Sequence, residues 1–143
     1  MTLADVNVLL YAHRGGSPEH EGCRAWLEQV LERRHPFAVS EPVLSAVVRI
    51  ATNPRVYRPP DTADDALAFA DNLRNHPRAV VLRPGPAHWH HFGNLCRAVG
   101  AAGKLVADAY HAALAVEHGC TWVTTDRDFA RFPGLRWRHP LDA

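Results

Sequence analysis

Hydrophobic residues recur along the chain in two patterns, which are short continuous runs and longer stretches with apolar positions three or four residues apart. The short runs predict strands at residues 3–5, 37–39, 79–82 and 121–124, with a last edge strand at 136–138. The longer stretches predict helices that begin near residues 6, 18, 42, 62, 87 and 105. Strands that alternate with helices predict an α/β fold, a three-layer α/β/α domain around a central, mostly parallel sheet of four or five strands.

Local signals refine two of these elements. Ser17-Pro18-Glu19 is typical of a helix start, with Pro18 in the first turn. Residues 79–82 are apolar throughout, which predicts a strand that is buried on both faces.

The composition narrows the class of protein. The length of 143 residues fits one domain spanning 1–143, and 47% apolar with 22% charged residues is typical of a globular chain. A net charge of +1 argues against a strongly basic nucleic-acid-binding domain but leaves room for a local basic patch. Three scattered cysteines are too few for a disulfide framework or a cysteine zinc site. No apolar run has the length of a membrane span and no signal peptide pattern is present, so we expect a cytoplasmic location and no membrane partner.

Three aspartates stand out because each lies among apolar residues. Asp5 ends the first predicted strand and Asp126 follows the fourth, and the carboxyl ends of parallel strands meet at one edge of a sheet. Asp108 lies near the start of an apolar helix, where a carboxylate is costly unless it is paired, hydrogen-bonded or metal-bound. Together they predict an oxygen-only site for Mg²⁺, with Mn²⁺ as a substitute, although Asp126 by itself also fits a plain turn.

Three motifs resemble those of the PIN-domain family. DVNVLLYA at 5–12 resembles the opening motif, DAYHAALA at 108–115 the central helix motif, and TTDRDF at 124–129 the last motif. Their order and spacing match over essentially the whole chain. Residues 49–56 and 129–135 further resemble the VapC toxins of bacterial VapBC toxin–antitoxin pairs.

The resemblance implies a fold, an activity and partners. It implies a single PIN-like domain that acts as a Mg²⁺-dependent endoribonuclease, the toxin of a type II toxin–antitoxin system, with RNA as substrate. It also implies a homodimer and neutralisation by a VapB-like antitoxin. By position, Asp5, Asp108 and Asp126 would be the catalytic and metal-binding acids. Asn7 would support Asp5 and Thr124 would support Asp126.

Two further features of the motifs leave alternatives open. Asp128 is an alternative to Asp126 in the last motif. The family commonly carries a glutamate where this chain has Ala46, and Glu41 is the natural substitute as a fourth catalytic and metal-binding acid. A displaced glutamate also allows a second function, a catalytically weak or inactive PIN-fold module that binds RNA or the antitoxin. An aspartyl-nucleophile phosphohydrolase is disfavoured because Asn7 stands where a second acid would be required.

Other polar residues have both a functional and a structural interpretation. His88 and His91 are one helical turn apart and could bind zinc, but a polar or exposed helix face is the favoured interpretation because no further ligand is near in sequence. Arg49, Arg55 and Arg58 could bind phosphate beside the acids, although an ordinary surface arginine is the favoured interpretation for each one taken alone.

Overall fold

Five strands and six α-helices make up residues 1–142, the part of the chain that this computed structural model describes. The strands are β1 (Thr2–Ala4), β2 (Phe37–Ser40), β3 (Ala79–Leu82), β4 (Thr121–Val123) and β5 (Trp137–Arg138). The helices are α1 (Val6–His13), α2 (His20–Glu32), α3 (Glu41–Ala51), α4 (Ala63–Arg74), α5 (His88–Val99) and α6 (Lys104–His118), with a short 3₁₀ helix at Arg127–Arg131. None of these helices is both long and apolar enough to cross a membrane.

The strands form one sheet in the order β3-β2-β1-β4-β5, and every neighbouring pair is parallel. The chain runs outward from β1 to β2 and β3, then returns past β1 to β4 and β5. Because parallel crossovers are right-handed, this reversal puts α1 to α4 on one face of the sheet and α5 and α6 on the other. The α/β class and the mostly parallel sheet predicted from the sequence are confirmed.

The core is centred on β1 and β4, which are covered on both faces. Leu3 of β1 is in register with Trp122 of β4, and both side chains are fully buried. The face of α6 that meets the sheet is made of small side chains, which allow a close approach of helix and strand backbones. These residues are Ala109, Ala112, Ala113 and Ala115.

Three local predictions were wrong. The apolar run 79–82 forms an edge strand rather than a buried one, since β3 has a neighbour on one side only and Val80 is 38% exposed. Helix α2 begins at His20 rather than at Pro18, and a 2.6 Å contact between His20 Nδ1 and the Tyr11 carbonyl oxygen holds its first residue. His88 is buried rather than on a polar face, with Nε2 3.0 Å from the Tyr110 carbonyl oxygen.

Candidate active site

The reversal of strand order opens a crevice at the carboxyl ends of β1 and β4, the usual position for a site in an open parallel sheet. Asp5 follows β1 directly, and its backbone N–H donates to the Val123 carbonyl oxygen of β4 at 2.8 Å. Asp5 is also the N-cap of α1, where Oδ1 accepts from the Val6 N–H at 2.6 Å. The sheet register and the helix start therefore fix the direction of this carboxylate.

An open hollow of about 330 Å³ occupies the crevice. Asp5, Asp108 and Asp126 all line it, so the structure brings together three acids that are far apart in the sequence. Its walls come from the start of α1, the middle of α3 and the first turns of α6. We call it the acid hollow.

Asp5 is the most buried of the three acids, with 7% of its surface exposed. Burial raises its pKa from 3.8 to about 6, hydrogen bonds from Thr124 and Val6 reduce the rise, and the charges of Asp108 and Asp126 add to it. A carboxylate in this position gains stability from a proton or from a cation.

Thr124 links the acids through its buried hydroxyl group. Oγ1 donates to Asp5 Oδ2 at 2.7 Å and accepts from the Asp126 backbone N–H at 3.0 Å. Asn7 closes the network, because its Nδ2 donates to Asp5 Oδ2 at 3.3 Å and its Oδ1 accepts from the Thr125 N–H at 3.2 Å. Thr124 therefore contacts Asp5 as well as the Asp126 segment that the sequence assigned to it.

Asp108 and Asp126 have different surroundings. Burial raises the pKa of Asp108, Lys104 lowers it, and the charges of Asp126 and Asp128 raise it again. No side chain within residues 1–142 donates a hydrogen bond to the Asp108 carboxylate, so both of its oxygens are available as ligands. Asp126 Oδ1 accepts from the Asp128 N–H at 2.9 Å, which starts the 3₁₀ helix. Asp128 is exposed and is not part of the lining of the acid hollow.

The structure does not bring Glu41 to the acid hollow. Its carboxylate accepts from Arg74 Nε at 2.9 Å, lies 3.6 Å from Arg83 Nη2, and faces a separate groove between α3 and α4. The reason is helical geometry. Glu41 is five positions before Ala46 on α3, so the two side chains point about 140° apart around the helix axis. Ala46 itself lines the acid hollow.

Basic groups also line this hollow. Arg49 lies one turn after Ala46 and Lys104 one turn before Asp108, and both are exposed. Arg49 forms no ion pair within residues 1–142, whereas neither Arg55 nor Arg58 is part of this lining. Lys104 was not among the residues predicted for the site, although its spacing of four residues from Asp108 on one helix was a usable signal.

His111 closes one side of the hollow and stacks on Trp122 with ring centroids 5.8 Å apart. Burial lowers its pKa, so the ring is neutral at pH 7. The acids therefore do not gain a positive charge from this side chain.

The donor set fits a hard divalent cation. The acids offer carboxylate oxygens and no sulfur, which suits Mg²⁺ or Mn²⁺. Within residues 1–142, no three His, Cys, Asp or Glu side chains form a group that could hold a metal ion by themselves. Mg²⁺ commonly keeps several waters and takes only one or two carboxylates together with substrate phosphates. Asp108, which has unoccupied oxygens, and Asp5, which is destabilised by burial, match that mode of binding.

Comparisons with known proteins agree with this geometry. The family model described as "PIN domain" matches residues 2–135. VapC ribonuclease Mb2897 of Mycobacterium bovis is 45% identical over 142 residues, which is 99% of this chain and 97% of that protein. Ribonuclease VapC25 of Mycobacterium tuberculosis is 41% identical over 140 residues, 98% of this chain and 99% of that protein.

A solved structure shares the fold. The crystal structure of VapBC2 from Rickettsia felis, bound to a promoter DNA fragment, contains a chain with a TM-score of 0.69 and 18% identity. That likeness covers 96% of this chain and 97% of the other. On the family match and the two close relatives, the chain belongs to the VapC ribonucleases of the PIN-domain family.

Proposed function

We propose that this protein is a divalent-metal-dependent endoribonuclease, the toxin of a type II toxin–antitoxin system, with Asp5, Asp108 and Asp126 holding Mg²⁺ and Mn²⁺ as a substitute. The observation that carries the proposal is the acid hollow itself, where three carboxylates line one space and burial raises the pKa of Asp5 to about 6. A bound divalent cation supplies Lewis acidity toward phosphoryl oxygens and lowers the pKa of water.

The chain's own residues have distinct roles in this proposal. Thr124 and Asn7 hold the Asp5 carboxylate in one orientation through hydrogen bonds at 2.7 and 3.3 Å. Asp108 offers the carboxylate with no competing hydrogen bond. Arg49 and Lys104 draw the phosphate backbone toward a hollow that its acids would otherwise make repulsive to RNA.

The proposed substrate is single-stranded or looped RNA, because only a deformable strand brings its backbone down into a hollow of this size. We propose a VapB-like antitoxin as the neutralising partner, a homodimer as the assembly and the cytoplasm as the location. Two observations support the antitoxin as a partner. The chain belongs to the VapC ribonucleases, and a chain of a VapBC complex shares its fold.

A second candidate function is a catalytically weak PIN module that binds RNA or the antitoxin. Ala46 favours it, since an alanine lines the acid hollow where the family commonly carries a glutamate, and Glu41 is paired with arginines elsewhere. The two candidate functions differ in RNA cleavage, because a nuclease cleaves RNA repeatedly and a binding module does not.

The test is cleavage of total bacterial RNA by the purified protein, free of antitoxin, with Mg²⁺ or with EDTA. We expect fragments with Mg²⁺ only, and no fragments from the Asp5→Asn or Asp108→Asn variants. Glu41→Gln is the matched control and should cleave as the wild type does. Cleavage by Asp108→Asn at the wild-type rate would contradict the proposal, whereas Mn²⁺ uptake without cleavage would favour the binding module.

A further inference from the structure

A second hollow lies at the other end of α1, separate from the acid hollow. Its volume is about 400 Å³, and it is lined by Tyr11 of α1, by Arg14, the residue that follows α1, and by the segments 15–17 and 56–58. We call it the tyrosine–arginine hollow. Its walls carry two guanidinium groups and two phenol groups, which are donors suited to an anion with several oxygens.

Arg14 is held rigidly at this hollow. Its Nη1 donates to Asp61, its Nη2 donates to the Pro59 carbonyl oxygen at 2.6 Å, and its Cζ lies 4.6 Å from the centre of the Tyr57 ring. A guanidinium group has five N–H donors, so three remain after these two bonds. A fixed donor loses little conformational entropy when it binds a ligand.

Asp61 binds Arg14 beside this hollow, and its carboxylate is already in use. One oxygen accepts from Arg14 and the other lies 2.5 Å from His13 Nε2, while the side chain is 8% exposed. Burial alone would raise the pKa of Asp61, but the bonds from His13 and Arg14 hold it below its usual value. An anion in the hollow therefore does not meet a free carboxylate.

Further donors at this hollow have no partner. The hydroxyl groups of Tyr11 and Tyr57 make no hydrogen bond within residues 1–142, and Arg58 is exposed and makes no ion pair there. Burial raises the pKa of Tyr57, although the nearby Arg14 cation opposes the rise, so this phenol is a protonated donor at neutral pH.

One face of α1 connects the two hollows. Asn7 and Leu10 line the acid hollow, and Tyr11 and Arg14 line the tyrosine–arginine hollow. Steps of three and four residues keep these positions on one side of the helix. Asn7 and Arg14 are about 10 Å apart along the axis at about 1.5 Å per residue. A stacked strand covers that length with roughly three nucleotides at about 3.4 Å each.

We propose that the tyrosine–arginine hollow binds a backbone phosphate of the RNA strand that is cleaved at the acid hollow, about three nucleotides away. Arg58 and Arg14 bind the phosphate oxygens as cations, and the hydroxyl groups of Tyr11 and Tyr57 donate to them. This subsite rests on the proposed ribonuclease function. It extends the RNA contact beyond the acids and gives the strand a direction along α1.

The experiment measures binding of a fluorescein-labelled 12-nucleotide single-stranded RNA of mixed sequence, in EDTA, over a series of salt concentrations. Each phosphate contact contributes about 0.7 to the slope of log affinity against log salt for a single strand. We expect Arg58→Ala to lower that slope by about 0.7 and to weaken binding several-fold at low salt. Tyr57→Phe should weaken binding and leave the slope unchanged, because it removes a donor without removing a charge.

Arg34→Ala is the matched control, since Arg34 is also exposed and lies beyond the opposite end of α2. A slope for Arg58→Ala equal to that for Arg34→Ala would overturn the subsite and leave the ribonuclease function standing. If the wild type binds no RNA, either in EDTA or in Ca²⁺, the subsite and the ribonuclease function are both overturned. Melting curves of each variant verify that the fold is intact.

Discussion

Replacing Asp5 by Asn removes a buried negative charge at nearly constant side-chain volume, so its effect on the stability of the metal-free protein should become more favourable as the pH rises. The pKa of Asp5 rises from 3.8 to about 6 on folding. The pKa of this acid is higher in the folded state than in the unfolded state. Its contribution to stability is therefore fully present below pH 3.8 and is lost as the pH rises through 6. At 1.36 kcal/mol per pKa unit, the ionised Asp5 destabilises the metal-free fold by about 3 kcal/mol at pH 7.5.

The assay is urea unfolding of wild type and Asp5→Asn in EDTA, at pH 7.5 and at pH 4.5. The amide has one acceptor oxygen in place of two, so the variant loses a hydrogen bond from Val6 or Thr124 at both pH values. We expect its stability relative to the wild type to be about 2 kcal/mol more favourable at pH 7.5 than at pH 4.5, where the folded wild type carries the proton. Asp71→Asn is the control, because it removes a carboxylate that is exposed on α4 and lies outside the acid hollow. An equal difference in stability between variant and wild type at both pH values would refute the reasoning.

Three further substitutions test neighbouring parts of the site. Thr124→Val leaves Asp5 and the Asp126 N–H without their shared partner, so unfolding should require about 1–3 kcal/mol less; an unchanged urea midpoint would contradict the network. Ala46→Glu adds a carboxylate to the acid hollow and should tighten Mn²⁺ binding by about tenfold in calorimetry, whereas equal or weaker binding would remove Ala46 from the metal site. Glu41→Gln should change stability by less than about 1 kcal/mol, since its arginine pairs are half exposed, and a larger loss would make that pair a structural anchor.

The parallel order of the fold was predictable because its signals are local. Residues 3–5 and 121–124 are short apolar runs, and each is followed at once by polar residues at a carboxyl end of the sheet. That pattern places Asp5 and Asp126 together without any knowledge of side-chain packing. Asp108 was predictable from the cost of a carboxylate on an apolar helix, and the structure places it in the same hollow.

The failures concern properties that depend on tertiary neighbours. The run 79–82 is as apolar as a central strand, and only the reversal of strand order after β3 makes it an edge. His88 is buried because the Tyr110 carbonyl oxygen on α6 lies beside its ring nitrogen, a contact between residues 22 positions apart. Glu41 was chosen by closeness in sequence to Ala46, but the rotation of α3 turns it toward Arg74.

The central claim is that the acid hollow lined by Asp5, Asp108 and Asp126 binds a divalent cation, and calorimetric titration of the antitoxin-free protein with Mn²⁺ at pH 7.5 tests it most directly. The account predicts Mn²⁺ uptake by the wild type and by Asp71→Asn, with affinity at least about tenfold weaker in Asp108→Asn. Equal uptake by Asp108→Asn and the wild type, or no uptake by either, would contradict it.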